Sequence, residues 1–547
     1  MLPVSHVHEG ADDLLCANPR VPQRHDSRFP SFFLSDLNRG ANPPSHGRDW
    51  RTLDAWLPPN ASLLQGACLL AAFIAALTFF FLVSEMPVPL KHDMVEAYSW
   101  GMEFQLGYHQ HPPFWAWLCG LWFSVFPSTP FFFALLSATN AAVGLLGTWL
   151  LTAELVKDPE QRLAARAFPL LTPFFTFYAF KFDANTIFIS LWPWTLLFFY
   201  RASERHDRRA TLCFGPLGGL CLLSKYYALL PLAGCVLAAL TSVGGRNWLR
   251  SRQPWIAGAL IMLVISPHLW WLTENQAPPL AYLHSRLNWP WAEILHRLFM
   301  AGFGFAGMMT VVVGLTVPVC TRAHGPRARH TPMTAAHAKW VALVTCTPVV
   351  LTLASGFALR TPVTSEMMIG VVPLLPLLVL QAAGTCPPRP LARAAVSLVA
   401  IGGLGLVIGA PAFMYYRVHT KRWARQIPFE EVAHEGTRLW QEHVHTPLTY
   451  AAGSVPYSDF VTFYSPSHPH SFPRHDRSFA LWVTPERIRQ HGLLSICESN
   501  DSSCLGAANL YATPGTVRIP LAVAHHFGHY EGRMYNFTFI ITPPMVP

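Results

Sequence analysis

Apolar and polar residues follow one another along this chain in long blocks, not in the short rhythm of a soluble core. Apolar runs long enough to cross a hydrocarbon layer of about 30 Å occupy 62–84, 131–156, 164–180, 184–200, 226–243, 255–272, 297–318, 338–358, 367–383 and 394–416. The weaker run at 211–223 reads as a short span, and the one at 113–126, which opens on Pro-Pro, as a re-entrant or interfacial segment. The pattern predicts an α-helical polytopic membrane protein with about 11–13 transmembrane helices. Residues 1–60, rich in Pro, Arg, Asn, Ser and His without an apolar period, are expected to be a disordered cytoplasmic segment. No secretory leader pattern opens the chain, so the first apolar run is expected to remain as an anchor. Transmembrane character covers 61–417. The polar remainder, 418–547, mixes an amphipathic stretch at 429–444 with β-like runs at 479–483, 517–523 and 537–541, which predicts a small α/β domain.

Composition agrees with that division. Of 547 residues, 52% are hydrophobic and 13% charged, about half the roughly 25% charged share of soluble proteins. Too little charged surface exists to cover so large an apolar content, which excludes a soluble globule. The 39 Lys and Arg outnumber the 30 Asp and Glu, for a net charge of +9. No basic stripe with interleaved aromatics is present, so the excess does not indicate nucleic acid. It collects in alternate loops: Lys157, Arg162 and Arg166; Arg201, Arg205, Arg208 and Arg209; Arg246, Arg250 and Arg252; Arg322, Arg327, Arg329 and Lys339; Arg389 and Arg393. The loops between carry single basic residues: Lys91, Lys181, Lys225, Arg286 and Arg360. That asymmetry puts the first set and the N-terminus in the cytoplasm, and the second set and the C-terminal domain outside. In a bacterial inner membrane the outer side is the periplasm, where Cys497 and Cys504 are expected to form a disulfide.

The outer loops hold the candidate chemistry. They carry Asp93, Glu96, Glu103, Asp183, Glu274, Glu293 and Glu366 beside the lone cations, an arrangement that is costly at a membrane surface without a partner or ligand. In the first outer loop, Asp93, Glu96, Trp100 and Glu103 fall at helical offsets of three, seven and ten and share one face. His109 and His111 follow. A stripe of this kind can abstract a proton or, through Glu96, Glu103 and His109, hold a divalent cation.

Asp93-x-x-Glu96-Ala97-Tyr98-x-Trp100, followed by Gly107-Tyr108-x-x-His111-Pro112-Pro113, resembles the first extracytoplasmic loop of GT-C glycosyltransferases related to aminoarabinose transferase and the protein O-mannosyltransferases. Lys181-Phe182-Asp183-Ala184-Asn185-Thr186, Leu222-Leu223-Ser224-Lys225-Tyr226 and Ser266-Pro267-His268-Leu269-Trp270-Trp271 resemble further segments of that group, and the likeness covers roughly 62–420. The resemblance implies transfer of a sugar from a polyprenyl-phosphate donor to an envelope acceptor (glycolipid such as lipid A, polysaccharide or protein) on the outer membrane face, often with a divalent metal. It implies a catalytic carboxylate in this loop, Asp93 or Glu96. Val95 stands where many relatives place an Asp directly before Glu-Ala-Tyr. Lys181, Asp183, Lys225, Arg286, Arg360, Tyr108 and His111 are the expected substrate-binding residues, with the cations facing the donor phosphate. The competing reading is a transporter or lipid flippase. Against it stand the lack of a recognisable internal repeat and of a Gly-x-x-x-x-Gly-Lys phosphate loop, and the small number of mid-span ionisable residues.

Overall fold

The computed structural model describes residues 63–545 apart from 86–87, 173, 304–313, 315–332, 365, 368–372, 384–387 and 421–422. Residues 57–547 form one compact unit. The expected disordered segment, 1–60, the loop cations Arg322, Arg327 and Arg329, and parts of the runs at 297–318 and 367–383 lie outside the described residues.

Among the described residues, five helices are long and apolar enough to cross a membrane: Cys68–Glu85, Pro130–Leu155, Gln253–Glu274, Ala335–Ala358 and Pro390–His419. A sixth is formed if Tyr226–Thr241 and Val243–Leu249, which meet at a bend of 104°, count as one span. Other apolar runs fold as shorter or proline-containing helices, such as Ile187–Arg205 with Pro193 and Arg208–Leu222 with Pro216 inside. The run at 164–180 is not a span. The helix Pro159–Ala167 gives way to 3-10 turns at Phe168–Leu171 and Tyr178–Phe180, because Pro169 cannot continue the backbone ladder. The short apolar helix Phe114–Val125 starts directly behind Pro112-Pro113. Two helix starts in the Arg-rich loops are capped by side chains. Asp158 accepts from the Gln161 amide ahead of Pro159–Ala167, and Asp207 from those of Arg209 and Ala210 ahead of Arg208–Leu222.

The C-terminal region is a five-stranded sheet with helices packed on it. The strands are β1 (Tyr450–Gly453), β2 (His470–Pro473), β3 (Leu493–Glu498), β4 (Val517–Phe527) and β5 (Tyr530–Thr542), in the order β2-β1-β3-β5-β4. β2, β1 and β3 run parallel, while β3, β5 and β4 are antiparallel. The amphipathic stretch folds as the helix Phe429–Val444, and its Val432, Leu439 and Trp440 pack on Leu494, Ile496, Phe537 and Phe539. Two of the three expected β runs are strands. The third, 479–483, is a turn segment followed by the helix Pro485–His491, and its apolar residues pack elsewhere: Trp482 lies edge-on to Tyr108 of the first outer loop. Cys497 and Cys504 are joined by a disulfide that ties β3 to the helix Ser502–Asn509.

Candidate active site

The acidic stripe of the first outer loop is the helix His92–Glu103, and two neighbours fix its position. On one side it crosses Phe114–Val125 back to back at Gly101 and Gly120. A Cβ on Gly101 would fall 2.6 Å from both the Ala116 oxygen and the Gly120 nitrogen. On the other side lies the C-terminal helix Tyr457–Tyr464, whose Phe463 meets Tyr98 edge-on at 5.1 Å. Met94, Val95, Ala97 and Trp100 are buried between these elements. Val95 therefore faces the packing, and a carboxylate at that position would be buried away from the cavity. Asp93 and Glu96 instead line an open cavity of about 340 Å³ with His92, Gln110, His111, Trp115, Asp183, Asn185, Tyr282 and Arg286.

The loop that closes this cavity is held by its own side chains. Tyr108, stacked on Trp100 at 4.7 Å, donates its hydroxyl to the Trp100 carbonyl (2.5 Å) and accepts from the Gln105 amide (3.1 Å). Tyr108 is thus a buried strut and does not line the cavity. Trp115 Nε1 donates to the Pro112 carbonyl, and the Phe114 amide to the Leu223 carbonyl, which draws the Ser224-Lys225 segment alongside. His268 bonds the Leu106 carbonyl through Nδ1 and the Tyr226 hydroxyl through Nε2, so a third expected segment joins the same loop.

Charge is arranged around Lys181. Its ammonium lies 2.8 Å from Asp183 Oδ2, 2.9 Å from Glu366 Oε1 and 3.4 Å from Asp93 Oδ2. Asp183 also accepts from the amides of Asn185 and Thr186 at 2.7 and 2.8 Å, in the turn just ahead of the helix Ile187–Arg205. Burial pushes the Asp183 carboxyl up, but the Lys181 charge and these amides hold it below the usual carboxylate range. Lys225 donates to Asn185 Oδ1, and burial pulls its ammonium down. Burial lifts Glu96 to about 8, against the pull of His92 and with help from Asp459, Asp93 and Asp183. Glu96 is therefore mostly protonated at neutral pH. Burial, with Lys225 adding to it, pulls His111 down to about 3, so its imidazole is neutral.

The oxygens of Asp93, Asp183 and Glu366 lie within 4.8 Å of one another, a spacing a divalent ion can use. Lys181 already stands among them, so the set fits an ammonium and takes a metal only if the lysine leaves. Glu96, Glu103 and His109 are not brought together. Glu103 pairs with His470 Nδ1 at 2.6 Å, and His109 stacks on Phe479 at 3.9 Å. The physical reason is helix rise: seven residues separate Glu96 from Glu103 by about 10 Å. Arg286 does line the cavity. It stacks over Tyr282 and Trp289 and bonds the Tyr282 hydroxyl, while Glu293 pairs with Arg297. Arg360 lies away from the cavity, bonded to Asn288 Oδ1 at 2.6 Å and over the Trp291 ring. Glu366, Asn185 and Tyr282 belong to the site without having been singled out for it. Glu366 carried a signal as a lone outer carboxylate and Asn185 as part of the segment Lys181–Thr186, whereas Tyr282 carried none.

The profile of the dolichyl-phosphate-mannose-protein mannosyltransferase family matches residues 110–271. A lipid A galacturonosyltransferase, RgtD of Rhizobium johnstonii, is 23% identical over 219 residues. That alignment is 39% of this chain, and the chain spans 46% of the relative's length. ArnT from Cupriavidus metallidurans, solved bound to undecaprenyl phosphate, superposes with a TM-score of 0.57 at 13% identity, over 87% of this chain and 98% of that one. Its apo state gives 0.55 at 14% identity with the same coverage.

Proposed function

We propose that this chain, a multi-pass membrane protein of the GT-C fold, is a glycosyltransferase that moves a sugar from a polyprenyl-phosphate donor to a glycolipid acceptor at the outer face of the inner membrane. The undecaprenyl phosphate in the ArnT structure supports the donor class, and the lipid A substrate in the RgtD name supports the acceptor class. The observation that carries the reading is the cavity itself, where Asp93 and Glu96 face Asn185 and Arg286 across an opening beside the Lys181 cluster.

The chemistry follows from the charges. Asp93, half exposed at the mouth, takes the proton of the acceptor hydroxyl as that oxygen bonds to the anomeric carbon. The bond from the anomeric carbon to the phosphate oxygen breaks, and the electron pair leaves with the polyprenyl phosphate. Arg286, pre-oriented by Tyr282 and Trp289, neutralises the charge that develops there. Glu96, held protonated, is a hydrogen-bond donor to substrate and not the base. Lys181 orients Asp93 and Asp183, and no step needs a metal at the position its ammonium fills.

The test is transfer from a polyprenyl-phosphate-linked sugar to a lipid A-type acceptor by the detergent-purified protein. Asp93→Asn is expected to lose about 100-fold or more in rate. Near-normal turnover in Asp93→Asn beside a dead Glu96→Gln would assign the base to Glu96. Normal turnover in both would remove the site.

A further inference from the structure

The catalytic helix is held from an unexpected direction. Asp459, in the C-terminal helix Tyr457–Tyr464, is 2% exposed, and its two oxygens are divided between two elements. Oδ1 accepts from Ser471 of β2 at 2.8 Å. Oδ2 meets His92 Nε2 at 3.2 Å, across a separation of 367 residues. His92 opens the helix that carries Asp93 and Glu96, and it lines the same cavity. A buried carboxylate is expensive unless its oxygens are satisfied, and this one is satisfied by fixing a cavity residue. Further contacts bind the first outer loop to the same C-terminal domain. Ser99 donates to the Asp459 carbonyl at 3.5 Å, the Leu90 amide to the Tyr464 hydroxyl at 2.9 Å, and Glu103 pairs with His470.

We propose that Asp459 is a positioning residue of the active site, through which the C-terminal domain fixes His92 in the cavity wall to donate a hydrogen bond to the anionic group of the substrate. The proposal rests on the glycosyltransferase reading for the identity of that group, the donor phosphate, but the coupling of Asp459 to His92 stands apart from it. With Nε2 engaged by Asp459, Nδ1 is the nitrogen that meets the ligand. The Asp459 carboxylate at Nε2 favours the imidazolium, in which Nδ1 also carries a proton it can donate, and holds the ring in one orientation, as second partners do for functional histidines generally. His92 works in company: Glu96, Asp93, Asp183 and Arg286 face the same space.

Two measurements on the full-length protein separate the proposal from the function it serves. The first is modification of His92 by diethyl pyrocarbonate, followed by peptide mass spectrometry, with polyprenyl phosphate as the probe ligand. Asp459→Asn is expected to raise the modification rate several-fold, and polyprenyl phosphate to protect His92 in the unmutated protein. An unchanged rate in Asp459→Asn overturns the coupling, whatever reaction the protein performs. Coupling without protection overturns the ligand contact. The second measurement is turnover. Asp459→Asn and His92→Gln are each expected to lose at least 10-fold, the double variant to lose no more than either, and Asp459→Glu to recover part of the loss. Multiplying losses would make Asp459 a structural residue only. If Asp459→Asn does not fold, Ser471→Ala frees the other oxygen of the same carboxylate, and a rise in His92 modification there is the expected result. No rise there counts against the proposal. Absence of any transfer by the unmutated protein, with the modification result intact, removes the glycosyltransferase reading and leaves the coupling.

Discussion

Asp93 and Glu96 stand one helical turn apart in different surroundings. Asp93 is half exposed with an ammonium at 3.4 Å, whereas Glu96 is lifted to about 8 by burial among other carboxylates. A neutral Glu96 has a testable signature. Glu96→Gln mimics its protonated form, so turnover near pH 7 should fall by no more than about ten-fold, well short of the loss expected for a missing base. Wild-type activity should decline as pH rises through about 8 and Glu96 ionises, and the Gln variant should lose that decline. A variant profile that still declines at about 8, and not only near 9 where His92 loses its proton, would refute this. Lys181 belongs to the same scale. Removing it leaves three carboxylates facing one another, so Lys181→Ala should cost about 3–5 kcal/mol of stability, read as a lower melting temperature in detergent, and not merely a weaker affinity for donor.

At the level of elements, the site depends on a close crossing. Gly101 and Gly120 let His92–Glu103 and Phe114–Val125 approach backbone to backbone, and a methyl group at either position meets main-chain atoms that cannot rotate away. Gly101→Ala should therefore destabilise by about 1–3 kcal/mol and lower turnover by tilting the carboxylates; a melting curve matching the unmutated protein would show that the helices can part without cost. Local pattern made much of this legible. Helical offsets put Asp93 and Glu96 on one face, the amphipathic stretch at 429–444 folds as the helix Phe429–Val444, and the spaced cysteines are bridged. What the pattern missed is long-range. Nothing local in Tyr-Ser-Asp-Phe marks Asp459 as the partner of His92, and nothing near Glu103 announces His470. The run at 479–483 has strand composition, yet its place against the first outer loop decided its fate. Likewise, Pro169 broke a run whose hydropathy alone reads as a span.

For the whole molecule, the alternation of basic loops is the basis for orientation. The loop near Arg250 is expected inside and the segment near 430 outside. Fusions at those two points to a phosphatase active only outside the cytoplasm should be silent at 250 and active at 430; the reverse would invert every assignment of the cavity to the outer face. The grip of the C-terminal domain on the helix His92–Glu103 has a further consequence, one of timing. His92 is synthesised 367 residues ahead of Asp459. The sheet that braces Asp459 is complete only when β5, ending at Thr542, has paired with β3 and β4. During most of translation the inserted chain thus holds its carboxylates in an unfinished wall. A chain that stalls before β5 therefore carries Asp93 and Glu96 in a cavity wall whose brace has not yet formed.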